Sequence, residues 1–322
     1  MASAKTLIVV VGPTAIGKTA MAIQLAKHFH TEIISADSRQ FFKEMEIGTA
    51  KPSKEELAEA PHHFINSNSV QTLLSTGDFE IQALKTLDTL FQRHDVAIMV
   101  GGSGLYIDAV CNGLDKLPDI DFTIRQELNE RFAKEGISFI QASLKEYDPE
   151  YFAKVDQSNP QRMIRGVEFF LSTGQKLSSF LTRTKKERPF NIIKIGLNTA
   201  RSVLYERINR RVDQMLDSGL LEEVKTLLPF RKYNALNTVG YSEIFDYIDG
   251  ICTLEEAVDK IKQNTRRFAK RQLTWFRKDE TTAWFEPNET NLIIKYSEKQ
   301  RAKPERPDPQ NSSENQEALP EF

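Results

Sequence analysis

The chain has 322 residues, 40% hydrophobic and 27% charged, which suffices for one large α/β domain and a smaller second one. A formal net charge of −2 excludes a protein coated in positive potential, although local basic patches remain open. Two cysteines, Cys111 and Cys252, exclude a disulfide framework or a cysteine-bound zinc cluster, and no apolar run approaches membrane length, so a soluble cytoplasmic protein is expected.

Residues 7–11, Leu-Ile-Val-Val-Val, read as a core strand and residues 18–29 as an amphipathic helix. Between them run Gly12, Pro13, Thr14, Ala15, Ile16, Gly17, Lys18 and Thr19. Strand, glycine-bearing loop and helix in that order make a phosphate-binding P-loop of the nucleotide-binding type. Gly12 and Gly17 let the backbone curl until its N–H groups face an anion, and the helix start adds the positive end of its dipole. Lys18 brings a cation to the terminal phosphates, and the Thr19 hydroxyl can ligate magnesium. A di- or triphosphate is therefore expected to bind here.

Further strands are expected at 32–36, 96–100 and 191–197, with helices at 78–93 and 103–110 between them. This alternation predicts an α/β fold, a P-loop parallel sheet with helices on both faces, whose ligand lies beyond the carboxyl ends of the strands. Three loops leave strands at that end: the P-loop, Ser35-Ala-Asp-Ser38 and Gly101-Gly-Ser-Gly104. Asp37 could bind magnesium, accept a proton from a nucleophile, or cap its own loop. Ser103 could donate to a phosphate oxygen or cap the helix it precedes. His62-His63 lacks a third ligand at suitable spacing and reads as part of a loop.

The alternation breaks at about residue 117. Helical patterns at 122–134, 138–147 and 160–171, without a strand, predict a helical insertion spanning 117–189 within a core whose first part is 1–116. The core is completed over 190–297 by helices at 201–217, 220–228, 242–248 and 254–277 and a short strand at 283–285. The polar stretch 298–322 lacks the apolar content to fold and is expected to be a disordered tail. Between Lys260 and Lys278 the chain carries eight Lys/Arg and no acidic residue. Arg266, Arg267, Lys270 and Arg271 form a cationic face without an acidic i, i+4 partner, for which a phosphate backbone is the natural counterpart. Phe268, Trp275 and Phe276, interleaved with them, suggest that one face of this helix is core. On these features alone a small-molecule kinase leads.

The blocks Gly12-Pro-Thr-Ala-Ile-Gly-Lys-Thr19, Ile34-Ser-Ala-Asp-Ser-Arg-Gln40, Ile47-Gly-Thr-Ala-Lys-Pro52, His62-His63 and Gly101-Gly-Ser-Gly-Leu-Tyr106 occur in order. Asn159-Pro-Gln-Arg162, Arg207-Ile-Asn-Arg-Arg-Val212, Gly240-Tyr241 and Asn264-Thr-Arg-Arg-Phe-Ala-Lys-Arg-Gln-Leu-Thr-Trp-Phe-Arg277 follow. Over residues 7–277 the chain closely resembles the bacterial tRNA dimethylallyltransferase (tRNA isopentenyltransferase) family. The resemblance implies transfer of a dimethylallyl group from dimethylallyl diphosphate to the exocyclic N6 amine of the adenine 3′ of the anticodon, in tRNAs reading codons that start with U. It implies that residues 12–19 bind the diphosphate, with Mg2+ near Thr19, and that Asp37 accepts the amine proton. Lys18, Ser103 and Arg211 complete the catalytic set. Ser103 replaces the family's usual threonine, and Arg207 and Arg210 compete with Arg211 for the diphosphate.

For tRNA, the resemblance implies a base pocket at Asp37, Ser38, Arg39, Gln40 and Ser103. Arg125, Gln161, Arg162, Met163, Ile164 and Arg165 of the insertion, with Arg266, Arg267, Lys270 and Arg271, would hold the anticodon stem-loop. A monomer is expected. The alternatives are an adenylate isopentenyltransferase acting on free AMP, ADP or ATP, and a P-loop small-molecule kinase. A GTPase-like RNA-binding switch would need an Asn-Lys-x-Asp motif, which the chain lacks.

Overall fold

Every residue of the strand Thr6–Val11 (β1) is buried, because helices cover both faces of the sheet it centres. It joins Ile33–Ser35 (β2), His62–His63 (β3), Val96–Val100 (β4), Asn191–Leu197 (β5) and Ala283–Phe285 (β6) in one parallel sheet of order β3-β2-β4-β1-β5-β6. The computed structural model describes residues 5–302 except 73, 119 and 183. In chain order the helices are α1 (Lys18–His28), α2 (Lys54–Glu59), α3 (Thr76–Phe91) and α4 (Gly104–Asn112), then α5 (Phe122–Glu135), α6 (Ile137–Tyr147), α7 (Pro149–Lys154) and α8 (Pro160–Thr173). They end with α9 (Arg201–Asp217), α10 (Leu220–Thr226), α11 (Tyr241–Ile248), α12 (Leu254–Phe276) and α13 (Thr290–Arg301).

Alternation along β1 divides the core. Ile8 and Val10 pack with Ala22, Leu25 and Ala26 of α1 and Leu204 and Ile208 of α9. Leu7, Val9 and Val11 face Phe79, Ala83 and Leu87 of α3 and Ile107 and Val110 of α4. A third cluster joins Phe42 and Met45 to Val212, Leu220, Val224, Tyr241, Phe245 and Ile261, so α9–α12 extend one end of the fold. Cys111 is packed against the sheet, and burial pushes its thiol up to about 12, which makes it unreactive.

Contacts divide the chain into two compact units, Asn112–Glu187 and the remainder. The smaller unit, α5–α8, has its own core of Leu128, Ile140, Leu144, Met163, Ile164 and Val167. This corrects one expectation: Met163 and Ile164 are fully buried and do not offer their side chains to RNA. Helical spacing explains it, since Gln161, Arg162 and Arg165 fall on one side of α8 and Met163, Ile164 and Val167 on the other. Met163→Ala is expected to lower the stability of this unit by about 2–5 kcal/mol, read by thermal melting, as a deleted core side chain does.

Two further expectations change. His62 and His63 are a strand, not a loop, pairing in parallel with Ile33 and Ile34. Residues 298–301 belong to α13, which the buried Ile293 and Ser297 fix against the fold and Ala302 caps; residues 303–322 of the expected tail lie outside the described residues. Among the described residues, no helix is long and apolar enough to cross a membrane.

Candidate active site

The carboxyl ends of β1, β2 and β4 are adjacent, and backbone hydrogen bonds tie the loops that leave them. Ala36 N donates to Val100 O at 2.7 Å, Gly101 N to Val10 O at 3.3 Å and Ser103 N to Ala36 O at 3.3 Å. Approach is so close that a Cβ on Gly101 would lie 2.2 Å from Ala36 O, and one on Gly12 2.6 Å from Leu197 O. Gly12 and Gly17 also adopt φ of 149° and 103°, which glycine alone reaches without strain. Ile16 serves the core, fully buried, and Ala15 takes φ of 63°.

Two cavities meet over these loops. One, about 240 Å³, is lined by charged and polar groups, among them Lys18, Thr19, Ser35, Gln40, Lys51 and Glu56. The other, about 430 Å³, is walled by Leu105, Tyr106, Met215, Val239, Phe268 and Trp275 and edged by Ser38, Arg39, Ser103 and Arg271. Thr14, Asp37, Thr49, Ala50 and Arg211 line both.

Lys18 donates from Nζ to Pro13 O at 2.8 Å, and burial lowers it to about 8, against the pull of Asp37 and with the repulsion of Arg211. Asp37 Oδ1 accepts from Arg39 N at 3.0 Å, which holds the carboxylate at the junction. Ser103 spends its hydroxyl on the neighbouring loop: Oγ accepts from Ser38 N at 3.0 Å and donates to Ser38 Oγ at 3.1 Å. Of the three competing arginines, Arg211 donates to Thr14 Oγ1 and lines both cavities, Arg207 donates to Ile16 O, and Arg210 turns to Glu206. Burial lowers the Arg211 guanidinium from its ordinary range, offset by Asp37.

Other expected RNA contacts have structural work. Arg39 donates to the carbonyls of Asn234, Ala235 and Asn237, and Gln40 to those of Thr49 and Ala50. Arg125 and Arg165 both bind the buried Glu168 of α8. Lys260 and Lys262 of the basic helix are paired with Asp246 and Asp213, and Arg266 donates to Asn209 Oδ1 at 2.6 Å. Arg267, Lys270 and Arg271 remain exposed, and so does Phe268, at 39%, at the cavity edge instead of in the core.

Gln272, quoted in a motif but given no role, is 6% exposed and bridges two loops: Oε1 accepts from Thr14 N at 2.8 Å, and Nε2 donates to Gly102 O at 3.0 Å. An uncharged amide directly after the cationic pair Lys270-Arg271 on an amphipathic helix was the available signal. Trp275 Nε1 donates to Asp108 Oδ2 at 2.9 Å, and its ring occupies the space that a side chain at Gly104 would need.

The fold and site are those of an α/β P-loop protein in which one carboxylate, Asp37, lines both a polar and an aromatic cavity. The chain matches the IPP transferase family over residues 40–279. It is 55% identical to the tRNA dimethylallyltransferase of Christiangramia forsetii over 89% of this chain and 95% of that protein. It is 51% identical to that of Cytophaga hutchinsonii over 91% of this chain and 97% of that protein. The crystal structure of the tRNA isopentenylpyrophosphate transferase from Bacillus halodurans superposes with a TM-score of 0.69 at 37% identity, covering 92% of this chain and 97% of that one. The chain belongs to the IPP transferase family.

Proposed function

We propose that the chain transfers a dimethylallyl group from dimethylallyl diphosphate to the N6 amine of the adenine 3′ of the anticodon, giving N6-(dimethylallyl)adenosine and diphosphate. The observation that carries this reading is Asp37, a carboxylate lining both the polar and the aromatic cavity. The diphosphate lies among the P-loop amides, Lys18 and Arg211. The adenine, drawn out of the anticodon loop, stacks in the aromatic cavity, and its amine meets the allylic carbon at the junction.

As the new C–N bond forms, the C–O bond to diphosphate breaks. Lys18, Arg211 and the amides of the loop stabilise the negative charge that grows on the leaving oxygens. Asp37 takes the proton that the amine must lose. Thr19, whose hydroxyl lines the polar cavity, would hold a magnesium ion that keeps most of its waters. Such an ion would neutralise diphosphate charge. Exposed Arg162, Arg267, Lys270 and Arg271 and the neighbouring Gln161 are the groups for the stem-loop, acting on phosphates through charge and on the backbone through hydrogen bonds. A cytoplasmic protein acting as a monomer is part of the same reading.

The relatives support a tRNA acceptor over free AMP or a kinase reaction. The test is incubation with magnesium, radiolabelled dimethylallyl diphosphate and unmodified tRNA, with AMP in parallel. Label is expected in tRNA; label in AMP alone, or ATP turnover with label in neither, overturns the reading. The exposed cations add a second expectation. Lys270→Ala with Arg271→Ala is expected to flatten the salt dependence of tRNA binding by about 1–2 in log–log slope, measured by filter binding across a salt series.

A further inference from the structure

Two of the sequence blocks, Ile47-Gly-Thr-Ala-Lys-Pro52 and Gly240-Tyr241, have no part in the reaction as described, yet they meet at one side chain. The Glu223 carboxylate of α10 accepts from three consecutive backbone amides: Glu46 N at 3.1 Å, Ile47 N at 2.7 Å and Gly48 N at 3.1 Å. It also accepts from the Tyr241 hydroxyl at 2.6 Å. The buried Tyr241 ring lies flush on Gly48, where a Cβ would come within 2.5–2.7 Å of it. From the other side Gln40 donates to Thr49 O and Ala50 O, and Lys51 Nζ donates to Phe42 O at 2.6 Å and to Asn66 Oδ1 at 2.5 Å. Ala50 is held at φ of 47°, a conformation disfavoured for alanine.

That much restraint on an irregular loop has a consequence for the site. Thr49 and Ala50 are two of the five residues lining both cavities, so this loop is part of the wall where they join. Thr49 Oγ1 is spent on Met45 O, 2.9 Å away, which leaves its methyl and that of Ala50 as the small apolar groups there. An allylic chain reaching from the diphosphate to the amine needs such a surface, and it needs water kept out, because water attacks the same carbon.

We infer that Glu223 is a positioning residue for the transfer: by binding the 46–48 amides it holds Thr49 and Ala50 against the allylic chain, so that the amine and not water reaches the carbon. The inference rests on the proposed prenyl transfer. When the wall loosens, water attacks the allylic carbon as the C–O bond breaks. The products are dimethylallyl alcohol and diphosphate, with the proton lost from water passing to solvent.

The test uses the full chain, radiolabelled dimethylallyl diphosphate and an anticodon stem-loop, and measures the ratio of dimethylallyl alcohol to prenylated RNA. Glu223→Ala is expected to lower kcat by roughly 10²-fold, the scale of a 1 Å misplacement, and to raise that ratio while leaving diphosphate affinity within about twofold. Tyr241→Phe, which keeps the ring on Gly48, should change the ratio less. A merely structural loss would reduce active enzyme without altering the ratio. Should Glu223→Ala fail to fold, Gly48→Ala, which pushes the loop off Tyr241, must raise the same ratio. A folded Glu223→Ala or Gly48→Ala with wild-type kcat and ratio overturns the inference. Wild-type enzyme that prenylates no RNA would sink the functional reading and this one with it; an active wild type with an unmoved ratio in the variants sinks this one alone.

Discussion

Asp37→Ala is expected to lower kcat for tRNA prenylation by roughly 10²–10⁴-fold, the contribution of a positioned general base, with a much smaller change in KM for the donor. The adenine amine is a weak nucleophile because its lone pair is delocalised into the ring, so removing its proton as the C–N bond forms matters to the rate. Asp37 lies within electrostatic reach of Lys18, Arg39 and Arg211. The alanine variant also removes the acceptor of the Arg39 amide and could loosen the loop. Asp37→Asn separates the two roles: its amide oxygen can still accept from Arg39 N, but it cannot take a proton. Equal losses in Asn and Ala variants, measured as single-turnover rates on the stem-loop, identify proton acceptance. An Asn variant within about tenfold of wild type would reduce Asp37 to a loop cap.

The loops at the carboxyl end of the sheet were legible because their determinants are local. A glycine that must adopt positive φ, a lysine at a helix start and a carboxylate just past a strand are each visible from the few residues around them. What was not legible depends on distant pairs. Glu223 binds amides some 175 residues away along the chain, and Gln272 reaches Thr14 across 258. Nothing in the neighbourhood of either residue announces the partner. Treating a motif as a block produced a different error, since Gln161 to Arg165 contains both faces of α8 and only the polar one is available to RNA. The same physics explains Arg39: a guanidinium beside the carbonyls of Asn234, Ala235 and Asn237 donates to them, whatever motif it belongs to. The two-residue strand β3 owes its form to backbone pairing at a sheet edge, which side-chain pattern does not encode.

Lys18→Met is expected to lower kcat/KM for dimethylallyl diphosphate by roughly 10²–10³-fold at neutral pH, the usual loss when a preorganised group is taken from a growing oxyanion. The wild-type pH profile should show why. Burial lowers Lys18 from 10.5 to about 8, so the free enzyme is mostly cationic at pH 7 and loses that charge as pH rises through about 8. The kcat/KM profile, which reports the free enzyme, should therefore fall above about 8. Bound diphosphate favours the ammonium, so the corresponding break in kcat should lie at higher pH. Lys18→Met should abolish the break, and Lys18→Arg should abolish it while keeping part of the rate, because guanidinium stays charged. Stability moves in the opposite sense. The unfolded chain holds this proton up to 10.5 and the folded one only to about 8, so the cost of the buried charge is full below about 8 and fades between the two values. With respect to Lys18, then, activity is lost over a range in which the fold gains. A melting temperature that declines in step with activity from pH 8 upward, or a break that persists in Lys18→Met, would assign the alkaline loss to another group.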